Sequence, residues 1–332
     1  MSSQPEAVAQ TIPPFVARSR TAGIVGLGCA LPAGVVANAE VASALGVDAA
    51  WLERRTGIRS RRRALAGERV CDLAADAARS ALQAAGLEAG EIDLVLVATL
   101  SPDELTPNAA PQVATAIGAD RAGAIDIGAA CTGFLSALGL GASMIETGRA
   151  ENVLVIGAEI LSRFLDAHDR RTAGLFGDGA GAAVLSSGSG GGIGPVILRC
   201  DGEAAPFIQV SHDVQLIRMD GHETFKLAVS ALTSCTREAV AAAELDLDDI
   251  DLFVYHQANG RILTAVAESL GAPSERVLDV IAELGNTSAA SIPLALAEAS
   301  ERGLLSPGAQ VLLGAAGAGF TWGATVVQWG SA

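Results

Sequence analysis

Aromatic side chains make up only 4% of the chain, with one tyrosine and three tryptophans. A core poor in large rings has to be assembled from Ala, Val, Leu and Ile, and the 38 glycines imply close backbone packing. Basic residues are scarce too: 22 Lys and Arg against 37 Asp and Glu leave a net charge of −15. That balance argues against non-specific binding to nucleic acid or an anionic membrane surface. No run of eighteen apolar residues occurs, so no transmembrane helix is expected. Residues 1–20 lack the apolar centre of a signal peptide, carry Pro5, Pro13 and Pro14, and read as a loose tail. Five cysteines (Cys29, Cys71, Cys131, Cys200, Cys235) and four histidines show neither CxxC nor zinc spacing. The odd number favours reduced thiols in the cytoplasm over a disulfide framework, with no metal site.

Half the residues are hydrophobic and 18% charged, which excludes an extended disordered polymer. At roughly 150 residues per domain, the length of 332 suits two domains or one large one. Short β-rich runs at 24–27, 94–99, 153–156 and 182–185 alternate with Ala-rich stretches of helical period at 72–85 and 134–147. That alternation predicts an α/β sheet covered by helices. There is also an internal repeat. Residues 86–100 (GLEAGEIDLVLVATL) match 244–258 (ELDLDDIDLFVYHQA) at an offset of 158, and ENVLVIGAE at 151–159 matches AQVLLGAAG at 309–317, where setting Gly157 on Gly314 gives an offset of 157. The chain reads as a duplicated unit, 21–195 and 196–332, joined through the Gly/Ser-rich connection near 185–205. An offset of 157 carries Cys131 onto Ser288, so equivalent loops are expected to face each other and form a composite site.

Three residues stand out for chemistry. Cys131, in DIGAACTGF, sits where a helix begins, and its N-terminal dipole would lower the thiol pKa; a small core residue is an equal alternative. His256 follows the β-rich run 250–255 and would reach the cleft at the strand ends, or serve as a hydrogen-bonded structural His. Asn286 in GNTSAAS could equally cap a helix. The glycine-rich segments do not add a nucleotide site. GLGCALP at 26–32 lacks the third glycine and the following helix of a dinucleotide fingerprint, and FGDGAGA at 176–182 lacks the Lys-Ser/Thr of a P-loop. GAAGAGFTW at 314–322 follows a second-half strand and could bring a backbone N–H to the site.

Taken with WLERRTGIRSRR (51–62), DRRT (169–172), FGDGAGAAVL (176–185), HQANGRI (256–262), GNTSAAS (285–291) and GAGFTWG (317–323), the chain resembles the β-ketoacyl-acyl-carrier-protein synthase III (ketosynthase III) family of the thiolase superfamily over nearly its whole length. The resemblance implies a thiolase-like fold, two pseudo-duplicated halves in a five-layered αβαβα sandwich, normally a homodimer. It implies that Cys131 is acylated from an acyl-CoA and that His256 and Asn286 assist decarboxylation of a malonyl thioester, carried by acyl carrier protein or coenzyme A. Backbone N–H groups of Cys131 and Ala318 would hold the oxyanion. Trp51, Arg55, Arg170 and Asn259 fall on coenzyme A-binding positions, Lys226 and Arg261 on carrier-protein docking positions, and Thr106, Ala316 and Phe225 on the acyl pocket, Thr106 reaching in from a neighbouring subunit. No cofactor is implied; coenzyme A thioesters are substrates. Ala318 departs from the usual Gly, Ala316 replaces a bulkier residue, and YHQAN replaces the commoner PHQAN. Two other readings are a ketosynthase III-like acyltransferase with a non-malonyl acceptor and a silent partner subunit. The intact Asn286 favours condensation over the first, and the complete Cys131–His256–Asn286 set argues against the second.

Overall fold

The computed structural model describes residues 20–188 and 190–330; the expected N-terminal tail lies outside them, apart from Arg20. Two five-stranded arrangements dominate. In the first, the strand order is Ala22–Ala30, Asp178–Ser187, Asn152–Ile160, Leu94–Ala98, Gly123–Ile127. The first two pairings are antiparallel and the last two parallel. In the second, Gly192–Ile193 and Ile197–Cys200 run antiparallel to Thr321–Gln328, which pairs antiparallel with Gln310–Gly317, and that strand pairs parallel with Leu252–Tyr255. The single parallel bridge Phe253 to Val277 stands where the first half has a full edge strand. The chain thus changes sheets between Ser187 and Gly192, inside the Gly/Ser-rich connection.

Five layers follow from the packing. Helix Val70–Ala85 covers the outer face of the first sheet, where Ala74, Ala77, Ala78 and Ala81 are fully buried. Gly28 faces this helix so closely that a Cβ there would meet the Ala77 carbonyl and the Ala81 amide. Alanine and glycine are therefore how this core reaches dense packing with few rings. Helices Gly133–Glu146 and Ser291–Glu301 fill the middle layer, sharing one apolar cluster with both sheets through residues such as Leu135, Leu138, Leu296, Val155 and Leu313. Helix Gly221–Ala242 and helix Gly260–Leu270 close the far side with Leu232, Val240, Phe253 and Val266. Because the middle cluster belongs to both halves, neither half buries its apolar face without the other.

The pseudo-symmetry has a register of its own. Leu94 and Leu252, Asn152 and Gln310, and Gly133 and Ser291 begin equivalent elements, each pair 158 apart. The one-turn 3₁₀ segments Ala130–Thr132 and Ser288–Ala290 are 158 apart as well. Ser288 is thus the counterpart of Ala130, not of Cys131, whose counterpart is Ala289. The offset of 157 came from a strand repeat in which one glycine was aligned out of step. Backbone geometry agrees: Ala130 and Ser288 both adopt positive φ, +44° and +48°. Among the described residues no helix is long and apolar enough to cross a membrane.

Candidate active site

The two 3₁₀ turns meet on the inner face of the first sheet, and there they assemble the groups that sequence placed far apart. A Cβ on Gly157 would collide with the Ala289 carbonyl, so glycine lets the second turn rest on the strand. A Cβ on Gly317 would lie 2.5 Å from Cys131 Cβ and 2.7 Å from its sulfur, so glycine there brings the strand end against the nucleophile turn. A cavity of about 580 Å³ opens beside these elements, lined by Cys131, His256, Asn286, Ala316 and Gly317 at the reactive end.

The backbone N–H groups of Ala318 and Cys131 and the Ser288 hydroxyl lie near the Cys131 sulfur and favour its thiolate. Burial outweighs all three and, together with the charge of Glu159, pushes the thiol up to about 11. The low thiol pKa expected from the helix N-terminus is therefore corrected: with the sulfur enclosed, desolvation of the anion dominates. Ala318 has no positive φ, so the methyl that replaces the usual hydrogen adds no backbone strain.

His256 ends the strand Leu252–Tyr255, its N–H bonded to the Gly314 carbonyl at 2.7 Å. Its Nδ1 lies 2.6 Å from Ser291 Oγ, which already accepts from the Gln257 N–H at 3.3 Å. The Ser291 hydroxyl proton is then free to go to Nδ1, which leaves the ring proton on Nε2. Burial drives the imidazole pKa down to about 3, so the ring is neutral at physiological pH. A buried neutral His with an Nε2–H is a donor. Gln257 locks the segment, donating to the Tyr255 and Leu278 carbonyls at 2.8 and 3.1 Å and accepting from Val280 N–H at 2.9 Å.

Asn286 is tied into the second turn and also faces the cavity. Its Oδ1 accepts from the Ser288 N–H at 2.9 Å, capping the turn, and its Nδ2 donates to the Ala258 carbonyl at 3.3 Å. One amide hydrogen remains for the cavity. Capping orients the amide; it does not compete with a chemical role.

Arg55 stacks over Trp51 at 4.9 Å, and Arg261 over Phe225 at 5.7 Å, all four lining the cavity. Phe225 thus belongs to the rim, with the exposed Arg261. Arg170 lines the same rim and is held by the Leu45 carbonyl at 3.2 Å. Asn259 caps helix Gly260–Leu270 through the Arg261 N–H and donates to the Arg55 carbonyl at 3.2 Å, so it ties the two rim arginines together. Lys226 lies outside the cavity lining: it pairs with Glu223 at 3.0 Å in a groove shared with Asp201 and Glu203. Rim positive charge comes from arginine. Thr106 is exposed on the loop before helix Ala109–Ile117, outside the cavity of its own chain. Among the described residues no group of three His, Cys, Asp or Glu could hold a metal ion. Ser291, Gln257 and Gly317 were missed by sequence reasoning; each acts through a contact made across the fold. Their signal was membership of the HQAN, GNTSAAS and GAGF motifs.

Comparison with known proteins brings the same elements together. The family models described as 3-oxoacyl-[acyl-carrier-protein] synthase III and its C-terminal part match residues 125–202 and 240–329. A β-ketoacyl-[acyl-carrier-protein] synthase III of Rhizorhabdus wittichii is 45% identical over 93% of this chain and 100% of its own length. The 3-oxoacyl-[acyl-carrier-protein] synthase III of Aquifex aeolicus superposes with a TM-score of 0.91 at 40% identity, covering 93% of this chain and all of that one. The priming β-ketosynthase of a polyketide biosynthetic pathway superposes at 0.92 with 36% identity, covering 95% and 98%. The duplicated thiolase-like fold and the sequence agreement along almost the whole chain make this protein a member of the 3-oxoacyl-acyl-carrier-protein synthase III family, a condensing acyltransferase of fatty-acid or polyketide initiation.

Proposed function

We propose that Cys131 takes an acyl group from an acyl-CoA and that the acyl-Cys131 is then joined to a malonyl thioester by decarboxylative Claisen condensation. The observation that carries this reading is the buried His256 ring, neutral and held through Nδ1 at 2.6 Å by Ser291 Oγ, beside an Asn286 amide with one hydrogen to spare. Loss of CO₂ leaves an enolate, and two neutral donors suit that oxygen; each such donor lowers the barrier by ~3–4 kcal/mol. Simple transfer to an alcohol or amine makes no enolate and has no use for the second donor. The N–H groups of Cys131 and Ala318, which lie near the sulfur, donate to the tetrahedral oxyanion when the enolate attacks. Trp51, Arg55 and Arg170 bind the adenine and phosphates of coenzyme A, while Asn259 holds that rim and borders the pantetheine channel. Arg261 docks an acidic carrier protein, with Lys226 a weaker contributor because Glu223 offsets its charge.

The reaction uses no cofactor, and the protein works in the cytoplasm as a homodimer. The edge strand Gly123–Ile127, with Ile125 48% exposed, supports continuation into a second copy. Thr106, Ala316 and Phe225 then shape the acyl end and its approach, Thr106 from the partner. Intact-mass measurement after incubation with a panel of acyl-CoAs, followed by malonyl thioester, tests the reading. A Cys131 adduct consumed with release of CO₂ supports it; transfer without CO₂ release overturns it.

A further inference from the structure

One buried acid next to the nucleophile remains without a role. Glu159, at the end of strand Asn152–Ile160, is fully enclosed. Its Oε2 accepts from Ser101 Oγ at 2.5 Å, from the Leu100 N–H at 3.2 Å and from Thr99 Oγ1 at 3.4 Å. Its Oε1 has only the Leu100 N–H at 3.3 Å, which leaves acceptor capacity. No cation pairs with it among the described residues. Asp178 on the adjacent strand is turned to Ala64 and Ser162, and Arg163 and Asp103 beyond Ser101 are paired with each other at 2.8 Å. The titratable group that the Glu159 charge raises is Cys131.

The turn Ser288–Ala290 packs against both the Cys131 turn and the strand that carries Glu159, with the Ala289 carbonyl resting on Gly157. The Ser288 hydroxyl is buried there and hydrogen-bonded to neither group, while its nearness favours the ionised form of each. The backbone at Ser288 is in the left-handed region, φ +48°, which a serine seldom adopts. Its N–H is pinned there by Asn286 Oδ1. A strained residue presenting an unpartnered hydroxyl toward a thiol and a carboxyl needs an explanation.

We propose that Glu159, acting through the Ser288 hydroxyl, receives the Cys131 proton during acyl loading and returns it during condensation. In loading, the S–H bond breaks and its proton passes to Ser288 Oγ as the Ser288 proton passes to Glu159. The sulfur electron pair forms the bond to the acyl carbon, and the coenzyme A thiolate leaves and takes a proton from solvent. In condensation the enolate carbon bonds the acyl carbon, Cys131 departs with the S–C electron pair, and the Glu159 proton comes back by the same two bonds. The negative charge brought by the malonyl carboxylate ends on Glu159. Burial holds its carboxyl at about 7, divided between the two forms it needs, whereas His256, near 3, is too weak a base for the task. Glu159 and Ser288 are positioning residues, since neither touches substrate.

The inference rests on acylation of Cys131. Rapid-quench intact-mass rates of acyl-CoA loading between pH 5.5 and 9 test it, with peptide mapping to Cys131. The wild-type rate is expected to rise through pH ~7 and level off. Glu159→Gln and Ser288→Ala should each load about a hundredfold more slowly at pH 8, without that inflection, and the double variant no more slowly than the worse single. A merely neighbouring carboxylate predicts the opposite, because removing its charge favours the thiolate; loading as fast or faster in Glu159→Gln overturns the relay. Should Glu159→Gln fail to fold, Ser288→Ala, which removes one oxygen, decides alone: an unchanged rate and inflection overturn the proposal. No adduct on wild-type Cys131 overturns the acyl-Cys131 reading and the relay together; a Cys131 adduct with unaltered variant kinetics overturns the relay only.

Discussion

The turns Ala130–Thr132 and Ser288–Ala290 are equivalent backbone used twice. Each opens on a residue at positive φ, and each leads into a helix of the shared middle layer. Their side chains have diverged completely. The first turn presents Cys131, with backbone N–H groups near its sulfur; the second presents Ser288, with Asn286 just before it and Ser291 just after. Duplication thus supplies two matching frames that face each other, and divergence leaves the sulfur on one frame and the Asn286 amide with the Ser288 and Ser291 hydroxyls on the other. The same contrast holds between their glycines. Gly157 admits the second turn to the first sheet, and Gly317 admits the second sheet to the nucleophile.

Emptying the first frame should have the largest effect. Cys131→Ala is expected to abolish acyl-enzyme formation, since Cys131 lines the cavity and Cys29, Cys71, Cys200 and Cys235 do not. A mass adduct with turnover in Cys131→Ala would place the nucleophile elsewhere. Weakening the second frame should separate the half-reactions. Asn286→Ala is expected to leave loading of Cys131 largely intact and to slow CO₂ release by about a hundredfold, the usual loss for one oxyanion donor. Equal losses in both steps would mean that only the cap on Ser288 mattered.

A smaller effect concerns stability. His256, with its folded pKa lowered to about 3, binds no proton between pH 3 and 6.5 while the unfolded imidazole does, so it costs stability as pH falls. Glu159, with its folded pKa raised to about 7, holds a proton that the unfolded carboxyl releases above about 4.5, so its term runs the opposite way. The two oppose each other between pH 4.5 and 6.5. Removing one unmasks the other: Glu159→Gln should lose stability on acidification by up to ~1.4 kcal/mol per pH unit more than wild type over that window. Denaturant melts at pH 6.5, 5.5 and 4.5 measure it, and parallel curves for the two proteins would refute the cancellation. The smallest effect is on substrate length. With Thr106 and Ala316 in place of bulk, loading should improve from acetyl to medium-length or branched acyl-CoA, ~0.8 kcal/mol per accommodated methylene. Thr106→Phe should reverse that order; acetyl loading fastest in both proteins would show that the residue does not reach the pocket.

Much of the frame was legible beforehand because it depends on local pattern. The runs at 94–99 and 153–156 are the strands Leu94–Ala98 and Asn152–Ile160, and the Ala-rich period at 72–85 is the helix Val70–Ala85. The repeat, Cys131, His256 and Asn286 were all visible as motifs, and the structure brings the three side chains to one cavity. The register of the repeat was not visible, since a one-residue slip changes little in strings rich in Ala and Gly but moves Ser288 from the counterpart of Cys131 to that of Ala130. The thiol pKa was misjudged for a different reason: a helix N-terminus can be read from sequence, while the desolvation that overrides it depends on what encloses the sulfur.

Composition, period and repeat determined an α/β chain of two like halves, with a thiol at one turn and an amide at the other. Only the tertiary structure decided that Ser291 holds His256 through Nδ1, that Asn259 ties Arg55 to the Arg261 turn, and that the Ser288 turn packs against both the Cys131 turn and the strand of Glu159. Secondary structure follows from neighbours a few residues apart. Proton positions and pKa values follow from dielectric and hydrogen bonds between groups as far apart in sequence as Glu159 and Ser288, and those exist only once the two sheets close on their common middle layer.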